Sequence, residues 1–141
     1  MEYQANRRIP AGSAIVFDVA ADLDAMRRWL PEEIQLREIA DDLVEASSTF
    51  AGTDAEHVGL LRRVPAQLRL EWGLRERPDY SGWLQVEDQA DGASEVVVHL
   101  SFLGHERPEA RGASRAVDRT NRMLERSLDR LTEEVLRRVP Q

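Results

Sequence analysis

Two residue types are missing from this chain, and their absence limits the chemistry it can perform. The 141 residues include no cysteine, which excludes disulfides, thiolate nucleophiles and cysteine metal sites, and is typical of a reducing cytoplasm. Lysine is absent as well, since all 19 lysine or arginine positions are arginine, and Schiff-base catalysis by lysine is therefore excluded. No apolar run approaches the roughly eighteen residues of a membrane span, and the first residues lack the apolar core of a signal peptide. We therefore expect a cytoplasmic protein with no membrane span.

Histidines are few and do not form a recognisable site. His57, His99 and His105 have no metal-ligand spacing, and no glycine-rich phosphate loop is present. His99 and Ser101 share one face of a predicted strand, where a base and a nucleophile could meet. The opposite face of that strand is apolar, so this pair is expected to face solvent. We predict no metal and no cofactor, and the sequence identifies no catalytic residue.

Charge is distributed unevenly along the chain. The net charge is −7, yet residues 111–141 contain more arginines than acids, so the rest of the chain is strongly acidic. An acidic body repels nucleic acid, and we predict no nucleic-acid partner. Pairs such as Glu133 with Arg137 and Glu134 with Arg138 have the spacing of exposed helical ion pairs, which indicates a solvated helix face. The sequence does not determine the oligomeric state, and a monomer and a weak dimer both remain open.

A long amphipathic helix is predicted over residues 111–139. Apolar residues recur there at steps of three and four, which is typical of a helix with one dry face. About 28 residues at 1.5 Å each would span roughly 42 Å, enough to cross a small domain. The first half of the stripe is small and the second half is large, so we expect plain core under the second half. The stripe consists of Ala113, Val117, Thr120, Leu124, Leu128, Leu131 and Val135.

The first thirty residues predict one strand and two short helices. Residues 3–9 alternate in polarity, and Pro10 ends the strand. Ser13 is expected to be the N-cap of a helix that runs to residue 21. Asp22 is expected to cap a second helix, which ends before Pro31.

From residue 34 the apolar period changes from 3.6 to two, which indicates an antiparallel meander. Turn residues such as glycine, proline and aspartate separate the strands. The alternation places Trp83 on the outer face. The inward face of strand 56–63 is ambiguous, because Val58 with Leu60 competes with His57 and Leu61. The predicted strands are 34–40, 43–50, 56–63, 67–75, 80–87 and 94–103, with Val44, Ala46, Ser48, Phe50, Leu68, Leu70, Trp72, Leu74, Tyr80, Gly82, Leu84, Val86, Val96, Val98, Leu100 and Phe102 facing inward.

Several short motifs carry a resemblance to a known family. They are Pro10-Ala, Val16-Phe17, Trp29-Leu-Pro31, Leu70-Glu-Trp72 and Tyr80-Ser-Gly-Trp83, followed by the terminal amphipathic helix. With them the chain resembles the START-like superfamily of polyketide cyclases and lipid-transfer proteins. The resemblance implies one α+β helix-grip domain over residues 1–141. In that fold a seven-stranded antiparallel sheet wraps a long C-terminal helix, two short helices lie between strands 1 and 2, and an elongated apolar cavity separates sheet and helix.

Fold resemblance does not determine function, because this superfamily includes binders, cyclases, hydrolases and chaperone regulators. Three hypotheses remain open: a carrier or sensor of a hydrophobic lipid, isoprenoid or aromatic polyketide; a cyclase or aromatase acting in the same cavity; and a protein-binding module. The cavity is expected under the first half of the helix, with its mouth at residues 104–112. A few polar groups would orient a ligand in an apolar pocket. The predicted ligand-binding residues are Leu70, Trp72, Tyr80, Leu84, Val98, Leu100, Val117, Thr120, Asn121 and Leu124.

Overall fold

A computed structural model describes residues 2–30, 34–49, 56–74, 80–102 and 113–139. Within these ranges the chain forms an α+β fold with a long C-terminal helix, as the period changes predicted. The elements are β1 Glu2–Ile9, α1 Ser13–Ala21, α2 Leu23–Trp29, β2 Gln35–Ala40, β3 Leu43–Thr49, β4 Glu56–Val64, β5 Arg69–Leu74, β6 Tyr80–Asp88, β7 Ser94–Phe102 and α3 Ala113–Arg138, with a 3-10 turn at Pro65–Gln67 between β4 and β5.

The seven strands form one antiparallel sheet in the order β1-β7-β6-β5-β4-β3-β2. From β2 to β7 each strand pairs with the next in sequence, which is the predicted meander. The first strand pairs with the last, so β1 and β2 are the two edges. The connection between these edges contains α1 and α2, which pack against α3. The helix-grip architecture is therefore confirmed.

The two short helices begin where the chain supplies caps, with one correction. Ser13 was expected to be an N-cap but is the first helical residue, because Gly12 adopts the extended backbone that an N-cap needs. Glycine has no side chain that could accept a capping hydrogen bond, so α1 begins without one. Asp22 is an N-cap as predicted, since its carboxylate accepts a hydrogen bond of 3.2 Å from the backbone N–H of Ala25.

The start of β5 also differs from its prediction. Residue 67 was expected to begin the strand, but Pro65–Gln67 form a 3-10 turn closed by a hydrogen bond of 3.1 Å from the Leu68 N–H to the Pro65 carbonyl. Leu68 then adopts a left-handed backbone with φ of 51°, and β5 begins at Arg69. Proline at the first position fixes φ for the turn, which shifts the strand by two residues.

Burial settles which face of β4 points inward. Gly59 is buried and Leu61 is 4% exposed, whereas Leu60 is only partly buried. Leu61 pairs with Val44 on one side and with Trp72 on the other. The inward face of β4 is therefore the face of Leu61. One continuous inward row crosses the sheet through Val44, Leu61, Trp72, Gly82, Leu100 and Tyr3.

The second half of α3 is core, as predicted from its large stripe residues. Helix α3 packs against α1, α2 and β1. None of the helices in the part of the chain that the structure describes is long and apolar enough to cross a bilayer. The buried stripe residues are Leu124, Leu128, Leu131 and Val135, none more than 5% exposed.

The ion pairs of α3 differ from those that its sequence spacing predicted. Glu134 is buried and contacts Arg28 of α2 at 3.0 Å and Arg137 at 2.9 Å. Arg138 pairs with Asp22 at 2.8 Å rather than with Glu134. The reason is that α2 lies beside the end of α3. Charged groups at α2 therefore compete with the i, i+4 neighbours within α3 for the same ion-pair partners.

Arg7 connects edge strand β1 to α3. Its guanidinium contacts Glu125 at 2.6 Å and also pairs with Asp129. The hydrogen bond to Asp129 and then that to Glu125 raise the pKa of Arg7 against the opposing effect of burial. Because Arg7 is on the same face of β1 as Ala5 and Ile9, this cluster holds the helix over the β1 edge of the sheet.

Candidate functional site

The centre of the concave sheet face is occupied by Trp72 of β5. Its register partner on β6 is Gly82. A β-carbon at Gly82 would lie 2.3 Å from Nε1 and 2.5 Å from Cε2 of the Trp72 indole. The missing side chain of Gly82 therefore leaves the space into which the indole extends.

Trp72 is less buried than its neighbours in the same inward row. Tyr3, Val44, Leu61 and Leu100 are each 5% exposed or less, whereas Trp72 is partly exposed. Tryptophan is large and rarely covered completely, but in the middle of an inward face the close-packed neighbours usually cover most of it. Its partial exposure indicates that the elements above the sheet do not pack tightly at this point.

A second apolar row lies next to Trp72. Leu70 of β5 pairs with Leu84, which pairs with Val98, and Val98 pairs with Ala5 of β1. The side chains of these four residues are all buried. Together with Leu100 of the first row, the sheet brings five of the predicted ligand-binding residues into one continuous apolar surface: Leu70, Trp72, Leu84, Val98 and Leu100.

The predicted residues on α3 are placed differently from one another. Leu124 is buried, and Thr120, one turn earlier, is only partly buried. Asn121 is exposed, so it does not lie among the buried groups, and its contact with a ligand stays a prediction. The side chains of Tyr80 and Val117 lie outside the described residues, as does the predicted mouth at 104–112.

One inward residue, Arg63 of β4, was left unassigned by the sequence pattern. Arg63 is on the face of Leu61, with its side chain only 11% exposed. It donates from Nε to the Ala21 carbonyl at 2.7 Å and from Nη1 to the Asp41 carbonyl at 2.8 Å. A cation at the carboxyl end of α1 is favoured by the helix dipole. The alternation of β4 would have identified Arg63 as inward once the face of Leu61 was known.

The outer face of the sheet carries an aromatic stack. Trp83 faces outward as predicted, and the ring of His99 stacks on it with centroids 5.2 Å apart and an interplanar angle of 13°. The guanidinium of Arg69 lies 4.7 Å from the Trp83 ring centroid. His99 also lies 3.8 Å from a carboxylate oxygen of Glu2. This arrangement agrees with the prediction that His99 and Ser101 lie outside the concave face.

A separate groove of about 790 Å³ lies at the β2–β3 turn and the β4–β5 connection. It is open to solvent, and its lining includes the charged residues Asp41, Asp42, Arg62 and Glu71. A groove of this composition does not match the apolar cavity expected on the concave face. Across the described ranges, no three histidine or acidic side chains are grouped so that they could hold a metal ion.

The curved antiparallel sheet with a long helix along its concave side defines the helix-grip class of proteins. Residues 1–136 match the family described as polyketide cyclase / dehydrase and lipid transport, and the chain belongs to this family. The START-like resemblance is thereby confirmed. No curated protein matches the sequence significantly.

Solved structures share this fold at low sequence identity. TTHA0849 from Thermus thermophilus has a TM-score of 0.76 and 21% identity, with 99% of this chain and 100% of that chain covered. A START superfamily protein from Mycobacterium smegmatis has a TM-score of 0.72 and 13% identity, covering 98% and 99%. The Zhui aromatase/cyclase from a Streptomyces species has a TM-score of 0.69 and 16% identity, covering 99% and 96%. These likenesses concern the fold alone.

Proposed function

We propose that this protein binds a hydrophobic small molecule, such as a lipid, isoprenoid or aromatic polyketide, between the sheet and the first half of α3. The observation that carries the proposal is the partial exposure of Trp72 in the middle of an otherwise buried inward row. An apolar ligand that covered this indole would remove its remaining accessible surface from water, which is favourable.

The surroundings of Trp72 support an apolar ligand rather than a charged one. The neighbouring rows contribute leucine and valine side chains that are 5% exposed or less. The inward cation Arg63 is already engaged by two backbone carbonyls. A charged ligand placed over the apolar rows would lose hydration without gaining a partner there.

The packing along α3 supports a position under the first half of the helix. Leu128 and Leu131 are fully buried, so the second half leaves little free space. Thr120 is only partly buried, although it belongs to the same stripe. Among the described side chains of α3, Thr120 is therefore less covered than Leu128.

The alternative function is catalysis by a cyclase in the same space. The positions of two buried polar groups, Ser94 and Glu134, favour binding over catalysis. The buried hydroxyl of Ser94 donates to the Ala11 carbonyl at 2.6 Å, which leaves it bound to the backbone. Glu134, a buried carboxylate, is paired with arginines at the far end of α3. Neither group lies in the inward rows beside Trp72, where an acid–base catalyst of ring closure would be needed.

Titration with an apolar fluorescent probe tests the proposal. The wild type is expected to bind the probe in a saturable manner, and Val117→Trp should abolish binding by filling the predicted space, at a cost of about 1 to 3 kcal/mol from overpacking. Met123→Trp, on an exposed position of the same helix, is the matched control and should bind normally. Native mass spectrometry of protein from its own host should show an apolar ligand. A wild type that binds no probe contradicts the proposal.

A further inference from the structure

Among the buried side-chain nitrogen and oxygen atoms in the described part of the chain, one has no hydrogen-bond partner: the indole Nε1 of Trp29. Trp29 is 2% exposed, so water outside the protein does not reach it. A buried donor without an acceptor loses its hydration and gains nothing in return. A group of this kind is typically satisfied by something that occupies the interior, either an ordered water or a bound molecule.

The position of Trp29 relates this donor to the concave face. Ala25, Met26 and Trp29 form the buried face of α2, which packs against α3 and against edge strand β2. Next to β2, the inward row continues from Leu36 to Ala46 and then to Gly59. Two of these three positions have little or no side chain, so they fill little of the space between α2 and the sheet.

Burial in this row agrees with free space. Ala46 points the same way as Val44, yet Val44 is fully buried and Ala46 is only partly buried. Trp72, on the strand beyond β4, is partly exposed as well. Ala46 on β3 and Trp72 on β5 are therefore two less covered positions of the concave face, separated by the buried residues Gly59 and Leu61 of β4.

We propose that the indole N–H of Trp29 is the donor that binds an oxygen acceptor of the ligand. This inference rests on the proposed function and narrows its ligand class to apolar molecules with a neutral oxygen, such as a ketone, an ester or a hydroxyl group. A carboxylate is disfavoured, because one indole N–H does not compensate for burying a full negative charge. A pure hydrocarbon would leave the indole N–H unsatisfied.

Two naphthalenes of nearly equal shape test this inference. 2-Acetylnaphthalene has a carbonyl where 2-ethylnaphthalene has a methylene group, and both affinities are measured by displacement of the apolar probe. The quantity of interest is the ratio of the two dissociation constants, which cancels their shared apolar contribution. In Trp29→Phe this ratio should move by about fivefold against the ketone, as expected for one lost hydrogen bond.

Trp83→Phe is the matched control, since it makes the same chemical change on the outer face. It should leave the ratio unchanged. A second readout uses the wild-type protein. The indole N–H signal of Trp29 is assigned as the one that disappears from the ¹H–¹⁵N spectrum of Trp29→Phe. In wild type this signal should move downfield when the ketone is added, and should not move when the hydrocarbon is added. This signal is one of only three, because the chain has three tryptophans.

The outcomes separate this inference from the proposed function. If both naphthalenes bind but neither the ratio nor the indole signal responds, Trp29 does not donate to the ligand, and the inference is wrong while the binding function stands. If neither naphthalene displaces the probe and no probe binds, the proposed function fails and the inference with it.

Discussion

The indole of Trp72 extends across the space that a side chain at Gly82 would need, with Nε1 only 2.3 Å from the position of a β-carbon there. The two residues are register partners at the centre of the sheet. Backbone freedom does not explain this glycine, because it is not among the residues with positive φ. Gly82 is required by the close approach of the indole.

Gly82→Ala is expected to push the Trp72 indole towards the helix and to lower the affinity for an apolar probe. The displaced ring would occupy the space proposed for the ligand, and overpacking should cost about 1 to 3 kcal/mol of stability. Probe titration together with chemical denaturation measures both effects. Gly12→Ala is the control for probe affinity, because a β-carbon at Gly12 meets no atom within 4 Å. Unchanged probe affinity in Gly82→Ala would show that the ligand lies elsewhere.

Leu128→Asp is expected to unfold the protein or to destabilise it by about 3 to 5 kcal/mol or more, because it buries an unpaired carboxylate. Leu128 is 0% exposed at the middle of the buried stripe of α3. Thermal and denaturant unfolding followed by circular dichroism measure the loss. Met123→Asp, on an exposed position of the same helix, should cost little. A cooperative melt of Leu128→Asp within a few degrees of wild type would mean that the stripe is not packed.

The ion pair between Asp22 and Arg138 should make stability depend on pH. The hydrogen bond from Arg138, and then that from the Ala25 N–H, hold the pKa of Asp22 below its ordinary value. A lowered pKa means that the unfolded chain binds the proton more readily, so the stabilisation is present above about pH 4 and is lost as pH falls through the folded-state pKa. Both side chains are about 40% exposed, so the pair should contribute less than about 1 kcal/mol.

Asp22→Asn tests this dependence, since asparagine can still cap α2. The difference in unfolding free energy between wild type and Asp22→Asn should be constant near neutral pH and should shrink in acid. In an Arg138→Gln background the same substitution should cost less at neutral pH. A difference that grows as pH falls would contradict the assigned direction of the shift.

Arg7→Gln should loosen α3 from edge strand β1, because it removes the contacts to Glu125 and Asp129 together. With Arg7 only 27% exposed, we expect a loss of about 1 kcal/mol, larger at low salt than at high salt. Arg8→Gln is the control, since its partner Asp91 lies in the β6–β7 turn rather than on α3. Equal losses for the two variants, measured by denaturant unfolding, would show that Arg7 does not hold the helix.

The sequence alone determined the elements of this protein and their order. Periods of 3.6 and of two are local properties, because the backbone sets which residues share a helix or strand face. The meander, the second half of the α3 stripe and the cap at Asp22 were predicted correctly for that reason. Where local signals were finely balanced, as at Gly12 with Ser13 and at Pro65–Gln67, the boundaries were wrong by one or two residues.

Only the tertiary structure decided which residues meet across these elements. The inward face of β4 depended on its pairing with Val44 and Trp72, and the partners of Glu134 depended on α2, which is more than a hundred positions away in sequence. The indole of Trp72 against Gly82 and the unpaired N–H of Trp29 have no counterpart in the apolar pattern. The period of a segment indicates which way each side chain points, but not which residue lies opposite it. The chemistry of this site depends on which residues lie opposite one another.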